Sequence, residues 1–398
     1  MLRLHGWIRF VLRRVRHFLT GMDLSCLTFL LVLALAFANG TNDVSKAIAT
    51  LVGSGVTDYR TAIAWGTAWT MAGAGAAAMV AGAMVKTFSN GLLQTGTIIS
   101  STITLAILFG AMAWVFFASR TGLPVSTTHA LTGAIVGTGL AAFAGEGLLW
   151  PAIGKKIALP LLLSPFLALG ISLLLHPSVR LLADRWAGAC LCVMPASRAL
   201  VTISAKGNTR TVFQSTSFGQ PVVDIPAHCD RAGLEGLVLG LDTIHWISSG
   251  LASFARGTND APKIVAMLLL GSASVTWPST LFQITAFGGV ALAMGLGSYF
   301  GGLRVTEVLA EKVTRMDHAE GLTANLTTST LVLSSGWLGL PVSTTHVSSS
   351  AIIGIGLIKG LSAIRWSTVR DMVLAWVITL PAAAGFAALA YLLLSRLS

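Results

Sequence analysis

The stretch Phe37-Ala-Asn-Gly-Thr-Asn-Asp-Val-Ser-Lys-Ala-Ile-Ala49 returns later in the chain as Phe254-Ala-Arg-Gly-Thr-Asn-Asp-Ala-Pro-Lys-Ile-Val-Ala266. Asp43 and Asp260 are 217 positions apart (260 − 43). A second pair keeps the same offset: Gly122-Leu-Pro-Val-Ser-Thr-Thr-His129 recurs unchanged as Gly339-Leu-Pro-Val-Ser-Thr-Thr-His346. Two polar motifs, each present twice at one spacing, mark an internally duplicated chain. Both lie in apolar surroundings, where a polar or ionised group is expensive and is kept for a function.

The surroundings define the class. Of 398 residues, 54% are hydrophobic and 10% are charged, with a mean hydropathy of +0.78. Soluble domains carry roughly 25% charged residues. The composition therefore predicts an all-α polytopic membrane protein. The net charge of +11 does not indicate nucleic-acid binding, because the basic residues flank apolar spans. Arg3, Arg9, Arg13, Arg14 and Arg16 lie in the first segment, and Arg180, Arg185, Arg198, Lys206, Arg210 and Arg231 in the polar middle. Such clusters set membrane topology and meet lipid headgroups. The four cysteines (Cys26, Cys190, Cys192, Cys229) show no C-x-x-C spacing and read as free thiols.

Four regions follow: a basic amphipathic tail (1–20), a first transmembrane repeat (21–176), a polar cytoplasmic linker (177–233) and a second repeat (234–398). Apolar stretches predict about five crossings per half, or about 10–12 membrane segments with broken or re-entrant pieces. An odd count per half makes the halves an inverted-topology repeat. It also sets the basic tail opposite the basic linker, against the positive-inside preference. Small residues at Ala72-Gly-Ala-Gly-Ala-Ala-Ala78 permit close helix contact and would allow a homodimer.

The Gly-Thr-Asn-Asp motif reads as a helix break, with Asp43 capping a second helical piece. Pro262, two positions after Asp260, fits the first turn of such a piece. Asp43 and Asp260 are hard oxygen ligands suited to Na⁺ or to a proton, and Asn42 and Asn259 add amide groups. Lys46 and Lys263 supply positive charge one turn on. In the second motif proline ends one segment and starts a helix. Ser126 and Ser343 are its expected N-caps, and Thr127, Thr128, Thr344 and Thr345 place neutral hydroxyls beside free backbone N–H groups, a seat for an oxyanion. His129 and His346 would support the charge or orient the turn. Asp242 and His245, one turn apart, are expected to hydrogen-bond to each other.

The doubled G-x-N-D-V and P-V-S-x-T-H patterns resemble the PiT family of inorganic phosphate transporters over roughly residues 24 to 390. The resemblance implies a carrier of the cell membrane, multi-pass, that takes up inorganic phosphate by symport with Na⁺ or H⁺. It needs no other cofactor. Substrate would be bound by Asn42, Asp43, Asn259, Asp260 and the Ser/Thr runs 126–128 and 343–345. The coupling ion would sit at Asn42, Asp43, Asn259 and Asp260, with Na⁺ on Asp43 and Asp260 in the sodium-coupled case. This chain departs from the family pattern where Lys46 and Lys263 replace an Asn in each copy. Alternatives are another oxyanion such as sulfate, or a passive anion channel or exchanger. No H-E-x-x-H or G-x-x-x-x-G-K-[ST] motif points to an enzyme.

Overall fold

The computed structural model describes residues 24–94, 97, 99–186, the linker strands given below, 241–270 and 279–396. The N-terminal tail and part of the linker lie outside the described residues. Helices run in chain order: α1 (Leu24–Asp43), α2 (Ser45–Gly53), α3 (Tyr59–Val80), α4 (Gly82–Ser89), α5 (Ser101–Thr121), α6 (Thr127–Phe143) and α7 (Leu159–Trp186). After the linker come α8 (Leu241–Val265), α9 (Thr280–Gly301), α10 (Leu303–Glu311), α11 (His318–Trp337), α12 (Thr344–Ile358) and α13 (Trp366–Leu394). Helix α7 continues past residue 176 to Trp186 despite Pro177. The linker then holds β1 (Cys190–Val193) paired antiparallel with β4 (Pro221–Asp224), and a hairpin of β2 (Arg198–Ala205) with β3 (Asn208–Ser215).

Apolar side chains face outward. Leu162, Phe166 and Leu174 on α7 are 64%, 68% and 82% exposed, and Leu281 and Phe300 on α9 are 70% and 73% exposed. Charged and amide side chains of both acidic motifs are buried instead. This inversion of the soluble pattern is what a bilayer solvent requires. Among the described residues, five segments suit a full crossing by length and composition: Leu24–Gly53, Ser101–Thr121, Trp150–Arg185, Thr280–Gly301 and Trp366–Leu394. Helices α3 and α4 make a sixth, bent by 83°. Of the remaining helices, α8 carries the second acidic motif, α6 and α12 begin at the Pro-Val-Ser-Thr-Thr-His motifs, and α11 is rich in Ser and Thr.

The halves pack reciprocally. Helix α1 lies on α9, and α8 on α3; α6 lies on α13, and α12 on α7. Within each half, α1 meets α5 as α8 meets α11. Each contact reappears when the halves are exchanged, which is the signature of a twofold relation between two copies of one unit.

One expectation fails at the acidic motif. The chain does not open there. Val44 keeps helical angles (φ −57°, ψ −35°), offers no side-chain cap and only stretches the ladder, with Val44 N–H to Gly40 O at 3.4 Å. Helix α8 runs straight through Asp260 and Pro262 to Val265. Asp43 is therefore not an N-cap. The motif glycine serves a different end: a Cβ on Gly40 would stand 2.1 Å from Met294 O of α9, and one on Gly257 2.4 Å from Thr70 O of α3. Glycine lets each acidic helix touch a backbone of the opposite half. The break lies between α3 and α4 instead. Substituting Gly257→Val is expected to force α8 and α3 apart at about 1–3 kcal/mol, read as a lowered melting temperature of the protein in detergent micelles.

Candidate functional site

The turn before the second motif positions everything after it. Gly122 and Gly339 adopt φ of +77° and +65°, a region open to glycine but strained for other residues. The chain then runs extended through Leu-Pro-Val to the serine. Ser126 Oγ accepts from His129 N–H at 3.2 Å, and Ser343 Oγ from His346 N–H at 3.1 Å. Both serines are N-caps, as the proline and Ser/Thr run predict. Helices α6 and α12 thus begin in the protein interior, with Thr127, Thr128, Thr344 and Thr345 in their first turns. Two helix N-termini, the positive ends of their dipoles, lie beside the acidic motifs.

There the duplicated motifs interlock. Asn39 Nδ2 donates to Asp43 Oδ2 at 3.1 Å, to Asp260 Oδ2 at 3.3 Å and to Thr127 Oγ1 at 2.9 Å. One amide nitrogen therefore bridges both carboxylates, and the two aspartates meet although 217 positions (260 − 43) separate them. Each carboxylate is paired with the lysine one turn on. Lys46 Nζ bonds Asp43 Oδ1 and donates to Val125 O at 3.1 Å. Lys263 Nζ donates to Asp260 Oδ1 at 3.1 Å, Thr128 Oγ1 at 2.8 Å and Val342 O at 3.3 Å. Val125 and Val342 are equivalent positions of the second motif (342 − 125 = 217).

The amides clamp the same loops. Asn42 Nδ2 donates to Leu123 O at 2.9 Å and to Ser119 Oγ at 3.3 Å, while its Oδ1 accepts from Val125 N–H at 3.1 Å. Asn259 Nδ2 donates to Val342 O at 3.3 Å and Asp260 Oδ1 at 3.0 Å, leaving its Oδ1 buried without a partner among the described residues. The threonines cross between halves: Thr345 Oγ1 donates to Val125 O at 2.7 Å and Thr344 Oγ1 to Asp43 Oδ2 at 3.5 Å. Thr128 Oγ1 donates to Val342 O at 3.5 Å. All ten substrate-site candidates lie in or against one buried network.

Two members escaped the sequence reading. Asn39 and Arg256 occupy equivalent positions of the two copies (256 − 39 = 217), four residues before each aspartate. Arg256 is 2% exposed; its Nη2 donates to Thr70 Oγ1 at 2.5 Å and Ser298 Oγ at 3.4 Å, while Nε and Nη1 have no partner among the described residues. The signal was available. Residues i and i−4 share a helix face, and the two copies differ there by a full charge.

The two histidines meet each other. His129 and His346 stack on each other with centroids 4.7 Å apart, and His346 stacks on Trp376 at 4.2 Å. His346 Nδ1 contacts Leu161 O at 3.3 Å; the carbonyl can only accept, so the ring donates. Both rings line an apolar cavity of about 750 Å³ walled by α6, α7, α12 and α13. The expected Asp242–His245 pair does not form. Asp242 Oδ1 meets His318 Nδ1 of α11 at 2.5 Å, and both ring nitrogens of buried His245 lack partners among the described residues. On a helix the neighbouring element offered Asp242 a nearer partner than its own next turn.

A duplicated helical membrane protein, whose halves meet in a buried cluster of paired charges and helix N-termini, belongs to the class of membrane carriers. The chain matches the phosphate transporter family over residues 39–387 and belongs to that family. It is 30% identical to a phosphate permease of Pyrococcus furiosus, spanning 90% of this chain and 93% of the other. It is 28% identical to a low-affinity inorganic phosphate transporter of Bacillus subtilis, spanning 94% and 98%. The fold is that of a solved structure described as the sodium-dependent phosphate transporter, with a TM-score of 0.73, 22% identity and coverage of 94% of this chain and all of that one. As a family member with apolar crossing helices, it is a multi-pass protein of the cell membrane.

Burial makes the ion pairs testable. Removing one partner of a buried pair leaves the other unpaired at about 3–5 kcal/mol, whereas replacing both is often close to neutral. Lys263→Met is therefore expected to destabilise the protein strongly, and Lys263→Met with Asp260→Leu to recover most of the loss. Thermal unfolding of the two variants in detergent checks this.

Proposed function

We propose that this protein is a secondary active carrier of inorganic phosphate, holding the oxyanion between its two halves at the junction of α1, α6, α8 and α12. The observation that carries the reading is the buried guanidinium of Arg256, with two N–H-bearing nitrogens unspent, in the same charge field as both aspartates. The N-termini of α6 and α12 lie beside the aspartates, Thr127 through Asn39 and Thr344 on Asp43 itself. Backbone N–H groups, threonine hydroxyls and a planar guanidinium together suit a tetrahedral oxyanion. Family membership and the relatives' names supply phosphate as the particular oxyanion.

The network also describes how access would alternate. Lys46, Lys263, Thr128 and Thr345 tie the acidic helices to the valine carbonyls of the second motifs. Substrate entering between helix tips and acidic helices must loosen these bonds on one side and leave them closed on the other. Because the halves are reciprocal copies with an odd number of expected crossings, the two sides would face opposite membrane surfaces. Rocking of one repeat against the other then moves the opening from one side to the other. Asp43 and Asp260 act here by holding the cations in place. Sulfate is the alternative oxyanion, and a passive exchanger would use the same site.

Purified protein in proteoliposomes should exchange internal phosphate for external [³²P]phosphate, with excess sulfate inhibiting far less than excess phosphate. Asp43→Asn and Asp260→Asn should each abolish exchange when exchange is normalised to the amount of folded, inserted protein. Full exchange in both variants, or equal competition by sulfate, would count against the site or the substrate respectively.

A further inference from the structure

Exchanging the two halves turns a polar seam into an apolar one. Ser249, Asn325, Ser348 and Thr50 stand 217 positions from Val32, Leu108, Leu131 and Met267 (249 − 32, 325 − 108, 348 − 131, 267 − 50). All eight residues are no more than 1% exposed. Val32, Leu108, Leu131 and Met267 belong to one apolar cluster. Their polar counterparts do not have such a reason to be buried.

The seam runs between α2, α8, α11 and α12. Ser249 Oγ of α8 donates to Ala47 O of α2 at 2.9 Å. One turn earlier in α8 lies His245. A Cβ on Gly321 of α11 would stand 2.5 Å from His245 Cε1 and 3.3 Å from Thr50 Cβ, so the imidazole lies against both α11 and α2. Asn325 shares that face of α11, four residues on. Ser348 lies one turn after Thr344 on α12, and the Thr344 hydroxyl meets Asp43 Oδ2 at 3.5 Å. Ala49, Ala324 and Ala351 pack together and hold α2, α11 and α12 to one another. The seam thus starts at the central site and ends at His245. Past His245 come exposed pairs: Asp242 with His318, and Lys359 with Glu320, the neighbour of Gly321.

His245 Nδ1 and Nε2, Asn325 Nδ2 and Oδ1, and Ser348 Oγ have no partner among the described residues. Unpaired polar groups destabilise a protein interior, and inside a membrane protein polar side chains mark substrate paths. We infer that the oxyanion reaches and leaves the central site through this seam, and that His245 and Asn325 hold it on the way. The inference rests on the phosphate reading above and adds a second binding position to it. Imidazole N–H, amide NH₂ and hydroxyl groups are the donors offered there. The nearest carboxylates, Glu320 and Asp242, are already bonded at the seam's outer end. Neutral donors take up an anion and let it go again, as a conduit requires. Val32, Leu108, Leu131 and Met267 offer a hydrated anion nothing. The two copies therefore share the central site and differ in the approach to it: one is lined for an oxyanion, and the other is shut by apolar packing until its helices part.

Thiol labelling reads the route. With Cys26, Cys190, Cys192 and Cys229 replaced by serine, Ser348→Cys in the detergent-solubilised full chain should react with a charged, water-soluble methanethiosulfonate about tenfold or more faster than Leu131→Cys, because access limits such reactions. Added phosphate should slow the reaction at Ser348→Cys. Equal rates in the two variants would overturn the inference, as would a rate that phosphate leaves unchanged in protein that exchanges it. Phosphate exchange by the unsubstituted protein in proteoliposomes is measured alongside. Its absence would count against the phosphate reading, whereas the unequal labelling needs no substrate. His245→Leu tests the binding position. It removes two unpaired buried nitrogens and should raise the melting temperature, while lowering exchange per folded protein about tenfold. His245→Gln, which keeps a donor and an acceptor, should retain most of the exchange. Full exchange in His245→Leu, or a melting temperature that falls along with exchange, would remove His245 from the role.

Discussion

Two carboxylate–lysine pairs, brought side by side by one asparagine amide, are the constraint around which the protein is built. An ionised group in the bilayer interior is tolerated only when paired and hydrogen-bonded. Asp43 and Asp260 satisfy that condition together. Each is paired to a lysine one turn along its own helix, each lysine reaches a valine carbonyl from the second motif, and Asn39 spans both acids. Pulling any helix of this junction away would strip these charged pairs of the hydrogen bonds they make across it. The halves are thus held by polar contacts at the centre, where the lipid-facing surface supplies no hydrophobic drive for helix association.

The same arrangement makes the junction responsive. The bonds that fasten α1 and α8 to the extended Leu-Pro-Val segments come from ammonium, amide and hydroxyl donors, the very groups that recognise oxyanions. On the proposed reading, a phosphate competes for them. Binding and loosening are then one event, which a carrier needs and a static scaffold does not. The replacement of an expected asparagine by lysine in both copies shifts the electrostatics of this event, because fixed ammonium groups lie on the carboxylates. Arg256, present in only one copy, gives the otherwise symmetric centre its net sign.

Away from the centre the helices obey simpler rules. Asp317 caps α11 in a reciprocal box with Glu320: Asp317 Oδ1 accepts from Glu320 N–H at 2.9 Å, and Glu320 Oε2 from Asp317 N–H at 2.7 Å. Burial would raise the Asp317 carboxyl, but these bonds and Arg180 outweigh it and hold it below the usual carboxylate range. Asp58 caps α3 through the N–H groups of Arg60 and Thr61. These caps fix where α11 and α3 begin.

Local chemistry wrote much of this into the sequence. The 217-residue offset (260 − 43) gave away the duplication, hydropathy the membrane class, and Pro-Val-Ser-Thr-Thr-His the helix starts capped by Ser126 and Ser343, because capping depends on residues within one turn. The convergence of the ten site candidates was legible because polar residues in an apolar chain must find one another. What only the tertiary structure decided were the contacts between elements. Glycine in the acidic motif reads as a break from sequence, yet serves close packing of α1 on α9 and α8 on α3, since its neighbour's backbone lies some 250 residues away for Gly40 (294 − 40 = 254). The partners of Asp242, Arg256 and the two histidines were likewise set by helices distant in the chain. Periodicity places a side chain on a face; which face meets it depends on how the two copies cross.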